Sequence, residues 1–306
     1  MRFNLQRKYS FILLIAGVVF LLLGLFFYQR HLSIYKTKQK PLELKKDNWQ
    51  VLKKKIEEEI SRFKGEAGIV IKDLDTGWEI AFNKEKLFPS ASLVKIPIMA
   101  GCFLAIEEGR LKLNQEVKLR QQDKLSGGIL RHVYPGTVLT VERLIGLMIY
   151  ESDNTATNIL TELLGIEYLN NCFKKFGLKY TLLSRRVADY NLREKGVENY
   201  TTAEEITYLL EKIYNQSLVS KEISERCLNL MKLQRINDRI PKYLPAEVMV
   251  AHKTGLEQGV CHDAGIIFTK KKDFILCILT SHKERNSDLA KEFIARIAFY
   301  TYSYLI

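Results

Sequence analysis

A serine and a lysine three residues apart lie on one helical face, about one turn from each other. The chain holds three such pairs, Ser33/Lys36, Ser61/Lys64 and Ser92/Lys95. At most one of them can matter, and the rest of the chain must single it out. The stretch Phe88-Pro89-Ser90-Ala91-Ser92 leads into the apolar run around Lys95, Ile96, Ile98 and Met99, the pattern of a loop turning into a buried helix start. Desolvation disfavours the charged form of a lysine, so an amine held there is a base able to activate a serine nucleophile. The first turn of a helix also supplies free backbone N–H groups facing whatever the serine attacks.

Two more polar stretches stand out. Glu151-Ser152-Asp153-Asn154 interrupts the apolar segments Leu144–Met148 and Ala156–Leu164. Polar groups at such a junction are costly unless they are paired or face a cleft. Ser152 and Asn154 thus read either as a satisfied helix cap or as cleft residues. Lys253-Thr254-Gly255 follows the strand-like run Val248–His252. Glycine there permits close backbone approach, and a lysine beside a strand edge suits an extended, anionic, peptide-like substrate. A second cation near Lys95 would also help keep that amine neutral.

The elements that must position these groups are legible in outline. Trp49, Leu52, Ile56, Ile60 and Phe63 recur at helical spacing. Ala67–Leu74, the turn Asp75-Thr76-Gly77 and Trp78–Phe82 read as a hairpin. Helical patterns dominate from Ser92 to about Met231, with Thr202-x-x-Glu205 matching a capping box. Strand character returns at Val248–His252, Asp263–Phe268 and Phe274–Thr280, and a last amphipathic helix carries Leu289, Phe293, Ile297 and Tyr300. The expected fold is α/β of the α+β type: one antiparallel sheet built from both chain ends, flanked by helices, with a helical lobe beside it.

Net charge is +12 over 306 residues, but residues 1–55 hold 12 Lys/Arg against 2 Asp/Glu. The rest of the chain has 35 basic and 33 acidic residues, so the body is nearly neutral and does not fit a nucleic-acid-binding domain. The five cysteines are scattered without a C-x-x-C pair and read as buried core thiols, and His252 and His262 share no zinc-ligand spacing with them. No metal or cofactor is expected. An unbroken apolar run from Phe11 to Tyr28 is eighteen residues long, about 27 Å as a helix, close to the bilayer core. Bulky Phe26-Phe27-Tyr28 follows in place of a small-residue cleavage site. The expected organisation is a basic N-terminal segment (1–10), a transmembrane anchor (11–28), a basic linker (29–47) and a catalytic domain (48–306).

Ser-x-x-Lys, Ser-Asp-Asn and Lys-Thr-Gly, in this order, resemble the motif set of class A β-lactamases and penicillin-binding DD-peptidases. Phe-Pro-x-Ala-Ser at 88–92, Ser-Gly-Gly-Ile-Leu at 126–130 and Ser-Asp-Asn-Thr-Ala at 152–156 strengthen the likeness, which extends over about residues 50–305. The resemblance implies that Ser92 is the acylated nucleophile and Lys95 its base, with Ser152 passing a proton to the leaving nitrogen. Asn154 would bind the substrate's amide side chain, and Lys253 and Thr254 its carboxylate. The backbone N–H groups of Ser92 and of Leu256, which follows Gly255, would form the oxyanion hole. Asp153 would be a buried structural acid.

One segment departs from that pattern. Leu183–Asn191, with Gly196 and Thr201-Thr202 after it, fits the Ω-loop of class A enzymes without gaps, Arg185 matching its arginine and Asn191 its substrate-side asparagine. The deacylating glutamate position reads Val187, and Tyr200 stands where an acid usually braces the arginine. The loop's brace is therefore left open, and Asp189 and Glu194 are the carboxylates that could replace the base. The implied function is a membrane-anchored serine acyl-enzyme hydrolase acting outside the cytoplasm on D-alanyl-D-alanine peptides of peptidoglycan, with β-lactams as acylating agents. The alternatives are a genuine class A β-lactamase and a catalytically silent wall-binding protein.

Overall fold

The computed structural model describes residues 21, 24–31, 47–284 and 286–306. Two compact units divide at Val51/Leu52. In the first, residues 24–31 are helical. Most of the apolar run expected to cross the membrane lies outside the described residues, and among those described no helix is long and apolar enough to span a bilayer.

The second unit is built on a five-stranded antiparallel sheet of order β2-β1-β9-β8-β7. Its strands are β1 (Gly65–Asp73), β2 (Glu79–Phe82), β7 (Met249–Glu257), β8 (Val260–Phe268) and β9 (Phe274–His282). The two ends of the chain meet where β1 pairs β9, for example Ile69 opposite Ile278. Phe274 to Thr280 in β9 are all buried whichever way they point, so both faces of the sheet are covered. Helices α7 (Ala203–Tyr214) and α9 (Asp288–Leu305) both pack against β8 and β9. The helix over residues 47–62 (α1) precedes the sheet, with Leu52 and Ile56 fully buried.

Between the two halves of the sheet lies the helical lobe. Its centre is α2 (Lys95–Glu107), whose residues Lys95 to Ala105 are all buried. A helix apolar on every side is stable only when surrounded, and α3 (Val141–Tyr150), α4 (Asn154–Leu164), α5 (Ile166–Phe176) and α8 (Lys221–Met231) all contact it. Short pairs complete the frame: β3 (Phe88–Pro89) with β6 (Tyr200–Thr201), and β4 (Glu116–Lys118) with β5 (Val138–Thr140). A short helix, α6 (Tyr190–Glu194), lies in the Ω-type loop.

Two local expectations need correction. The Lys253-Thr254-Gly255 motif does not follow a strand that ends at His252; β7 runs on to Glu257, because β8 pairs with it residue by residue past the glycine. Thr202 does cap α7 by accepting from Glu205 N–H, but the Glu205 carboxylate does not return the bond. It instead accepts the backbone N–H groups of Lys179, Tyr180 and Thr181, tying the preceding loop to the helix start. All five cysteines are free and buried.

Candidate active site

The nucleophile candidate sits on a single 3-10 turn, Ala91–Val94, that feeds straight into α2. Ala91 has φ +43°, a left-handed conformation that costs a residue with a side chain about 1–2 kcal/mol. The turn is over-determined by its surroundings. Ser90 N–H donates to Asn199 O at 2.7 Å, and His262 Nε2–H donates to Pro89 O at 2.7 Å. Thr280 N–H occupies His262 Nδ1 at 3.0 Å, which fixes the ring's tautomer. Burial holds the His262 pKa down at about 4, so the ring stays a neutral bracket beneath the turn.

Lys95 opens α2 and is fully buried. Its Nζ contacts Ser152 O at 2.6 Å, Asn154 Oδ1 at 2.8 Å and Ser152 Oγ at 3.3 Å. Burial lowers its pKa to about 7, against the opposing pull of Asp153 and Glu257. These contacts hold the amine against the Ser152-Asp153-Asn154 stretch. Ser152 itself has φ +53°, a second strained residue at the cluster.

Asp153 does not face the cleft. Its carboxylate accepts Ala156 N–H at 2.9 Å, capping α4, and Leu130 N–H at 2.8 Å. Close passage of the 126–130 loop makes the second bond possible: a Cβ on Gly128, which has φ +88°, would run into the Asp153 carboxylate. Asn154 Nδ2 donates to Ser126 O in the same loop at 2.8 Å. The cap reading thus applies to Asp153, while Ser152 and Asn154 turn toward the two lysines.

Lys253, fully buried on β7, donates to Ser152 Oγ at 2.9 Å and Thr254 O at 2.8 Å. Burial, then the charges of Lys95 and Arg239, push its pKa well below the usual lysine range. β7 is an edge strand, and a Cβ on Gly255 would lie 3.3 Å from Ala91 Cβ. A side chain at 255 would press on Ala91 and His262, which would have to yield by a few tenths of an ångström. Leu256 follows with its side chain half exposed. Ser92, Lys95, Ser152, Asn154, Lys253, Thr254, Gly255 and Leu256 therefore belong to one region. Asn191 is placed apart, exposed on α6 and lining a neighbouring cavity with Val187.

This geometry has counterparts among known proteins. A family model described as the beta-lactamase enzyme family matches residues 50–305. The chain belongs to that family. It is a class A β-lactamase-like serine hydrolase. Beta-lactamase VEB-1 of Pseudomonas aeruginosa is 26% identical over 271 residues, 82% of this chain and 89% of the relative. Beta-lactamase SME-1 of Serratia marcescens is 26% identical over 249 residues, 79% and 84% of the two chains. Among solved structures, a β-lactamase from Sphaerobacter thermophilus superposes with TM-score 0.76 at 27% identity, over 82% of this chain and 95% of the other. A glutamate-for-leucine variant of PBP-A, solved as an acyl-enzyme complex with penicillin G, gives TM-score 0.76 at 27% identity over 83% and 96%.

The Ω-type loop is braced, although Tyr200 stands where the arginine's partner acid is usual. Tyr200 spends its backbone on pairing with Pro89 and Leu182, and the brace comes from elsewhere. Buried Arg185 pairs Glu198 at 2.6 Å and Glu257 at 3.3 Å, and Arg193 pairs the same two acids at 2.9 and 3.4 Å. Glu257 ends β7 one residue after Leu256, so the brace joins the loop to the strand beside the site. No sequence signal marked Glu198, Arg193, Glu257 or the bracketing role of His262, because each is recognisable only by its partners. Val187 is buried and held at both backbone groups by Asn158, each bond 3.0 Å. Asp189 is spent on capping α6 through Leu192 N–H at 3.1 Å, and Glu194 is exposed.

Proposed function

We propose that this protein is a D-alanyl-D-alanine peptidase that forms an acyl-enzyme at Ser92 and is acylated by β-lactams that it releases slowly. Ser92 Oγ attacks the amide carbonyl, and its proton passes to neutral Lys95. The oxyanion is held by the N–H groups of Ser92 and Leu256. Ser152, within reach of both lysines, passes a proton to the leaving nitrogen. Lys253 and Thr254 hold the substrate's terminal carboxylate on the edge of β7, and Asn154 binds the preceding amide. One observation carries the preference for a peptidase: the position that the resemblance assigns to the deacylating base holds Val187, while Asp189 caps α6 and Glu194 is exposed. Valine takes no proton from water, and general-base help is typically worth about 10²–10⁴-fold.

The second reading, a β-lactamase proper, is favoured by the names of the curated relatives. A chromogenic cephalosporin separates the two. A stoichiometric burst followed by little turnover supports the peptidase, and sustained rapid turnover overturns it. A protein that takes up no labelled penicillin, or takes it up equally as Ser92→Ala, is neither. The proposal includes a membrane anchor through residues 11–28 with the catalytic unit outside the cytoplasm, resting on the apolar run in the sequence. Recovery of the full chain in a washed membrane fraction, lost on deleting those residues, checks it.

A further inference from the structure

Leu256, whose N–H the acyl-enzyme reading assigns to the oxyanion, lies near the free corner of the sheet. β7 is an edge strand, so Leu256 is paired only with Cys261 of β8. One residue later β7 ends at Glu257, and the chain turns through Gln258 and Gly259, which has φ +72°. A tight turn at a sheet corner is mobile unless its backbone is gripped, and moving it tilts the N–H that precedes it.

This turn is gripped from two sides. From within the sheet, the N–H of His282, the last residue of β9, donates to Gly259 O at 2.9 Å. From the Ω-type loop, Arg193 of α6 spends each of its three nitrogens on a different partner. Nε pairs Glu198 at 2.9 Å, Nη1 pairs Glu257 at 3.4 Å, and Nη2 donates to Gln258 O at 3.1 Å. The first contact stays inside the loop. The other two cross to the hairpin, and one of them lands on its backbone. Arg185 reaches Glu257 as well, at 3.3 Å, but its bonds to Glu198 and to Arg186 O stay in the loop. The two arginines thus share their acids and differ in what they hold.

We infer that Arg193 is a positioning residue for the acylation step: by clamping the β7–β8 turn it keeps the Leu256 N–H aimed at the carbonyl oxygen of the group that Ser92 attacks. That N–H meets charge that develops only in the transition state, so a tilted donor slows the step without weakening substrate binding. A planar fork with donors in fixed directions suits three acceptors set apart. Lysine keeps the charge but carries a single nitrogen on a flexible stem, and does not reach all three. The inference rests on the acyl-enzyme reading, which gives Leu256 its role, and holds equally for a peptidase and a β-lactamase.

The test follows attachment of labelled penicillin to the full chain over a range of penicillin concentrations. This separates the maximal acylation rate from the half-saturating concentration. Arg193→Ala is expected to lower the maximal rate about tenfold, a part of the about 10²–10³-fold that loss of a whole oxyanion donor costs. The half-saturating concentration should stay within about twofold of the parent's. Arg193→Lys, which retains a cation beside Glu198 and Glu257, is expected to recover the parental midpoint in urea but not the acylation rate. A brace with no positioning role would return both together. Parental acylation by either variant overturns the inference, as does a change confined to the half-saturating concentration. Should Arg193→Ala fail to fold, the lysine variant decides by the same rate. A parent that takes up no penicillin removes the acyl-enzyme reading and the inference with it. Uptake by the parent, matched by both variants, leaves that reading standing and removes only the role of Arg193.

Discussion

Lys95 and Lys253 converge on one oxygen, the hydroxyl of Ser152, at 3.3 and 2.9 Å. Two ammonium groups that close in a buried site repel each other, and each also loses hydration. The pair is therefore poised to hold fewer than two protons near neutral pH. Lys253 makes the shorter of the two contacts and holds the Ser152 oxygen in place.

The first prediction follows from the Lys95 pKa of about 7. Below that value the base is protonated, so the penicillin acylation rate is expected to rise about tenfold per pH unit from pH 5 and to level off above 7. The lowering comes from burial, with Asp153 and Glu257 opposing it. Rates of labelled-penicillin attachment between pH 5 and 9 measure the profile. A flat profile would remove Lys95 as the base.

A second prediction concerns the held loop. Val187 is clamped at both backbone groups by Asn158, and neither bond uses the side chain at 187. Val187→Glu puts a carboxylate at the position that the resemblance assigns to the deacylating base and should speed release of bound penicillin by about 10²-fold, with acylation little changed. Intact-protein mass measured over time after mixing shows the acyl adduct decaying. An adduct as long-lived as the parent's would mean that position 187 does not face the ester.

Much of this arrangement was legible because it depends on short-range pattern. Ser92/Lys95, Ser152/Asn154 and Lys253–Leu256 each sit at the end of an apolar run that had to be a helix or strand, and ordered motifs then implied their meeting. What escaped depends on contacts between distant segments. Tyr200 left the brace open, since an acid missing from one position says nothing of Glu257, whose ion pair with Arg185 spans 72 residues. The end of the third-last strand was misplaced for a related reason: Gly255 looks like a strand breaker until β8 is seen to pair through it. His262 showed only that it was no zinc ligand, since its bonds to Pro89 and Thr280 come from two other strands.

The third prediction tests the brace. Glu198 is buried and takes bonds from both Arg185 and Arg193, so Glu198→Ala leaves a buried guanidinium with only Glu257 to answer it. Breaking a buried pair by removing one partner costs about 3–5 kcal/mol. The expected result is a loss near the lower end, about 3 kcal/mol in urea unfolding, since Glu257 remains, together with faster proteolytic cutting within residues 185–200. Unchanged stability and cutting would show that Glu257 alone holds the loop.

The last prediction concerns His262, whose folded pKa lies at about 4 against an ordinary 6.5. Above 6.5 the ring is neutral folded or unfolded and contributes no pH dependence. Between 6.5 and 4 the unfolded chain takes up a proton that the native chain refuses, so stability falls as the pH drops through that window. The 2.5-unit gap corresponds to about 3 kcal/mol when fully developed. His262→Leu should remove this component of the pH slope. It should also cost about 2–4 kcal/mol at pH 7, because Pro89 O and Thr280 N–H lose their buried partner. Since Pro89 leads into the nucleophile turn, the variant should also be acylated more slowly by penicillin. Urea unfolding at pH 4.5 and 7.5, for both proteins, reads the slope directly. An equal slope in the variant would place the proton uptake on another group.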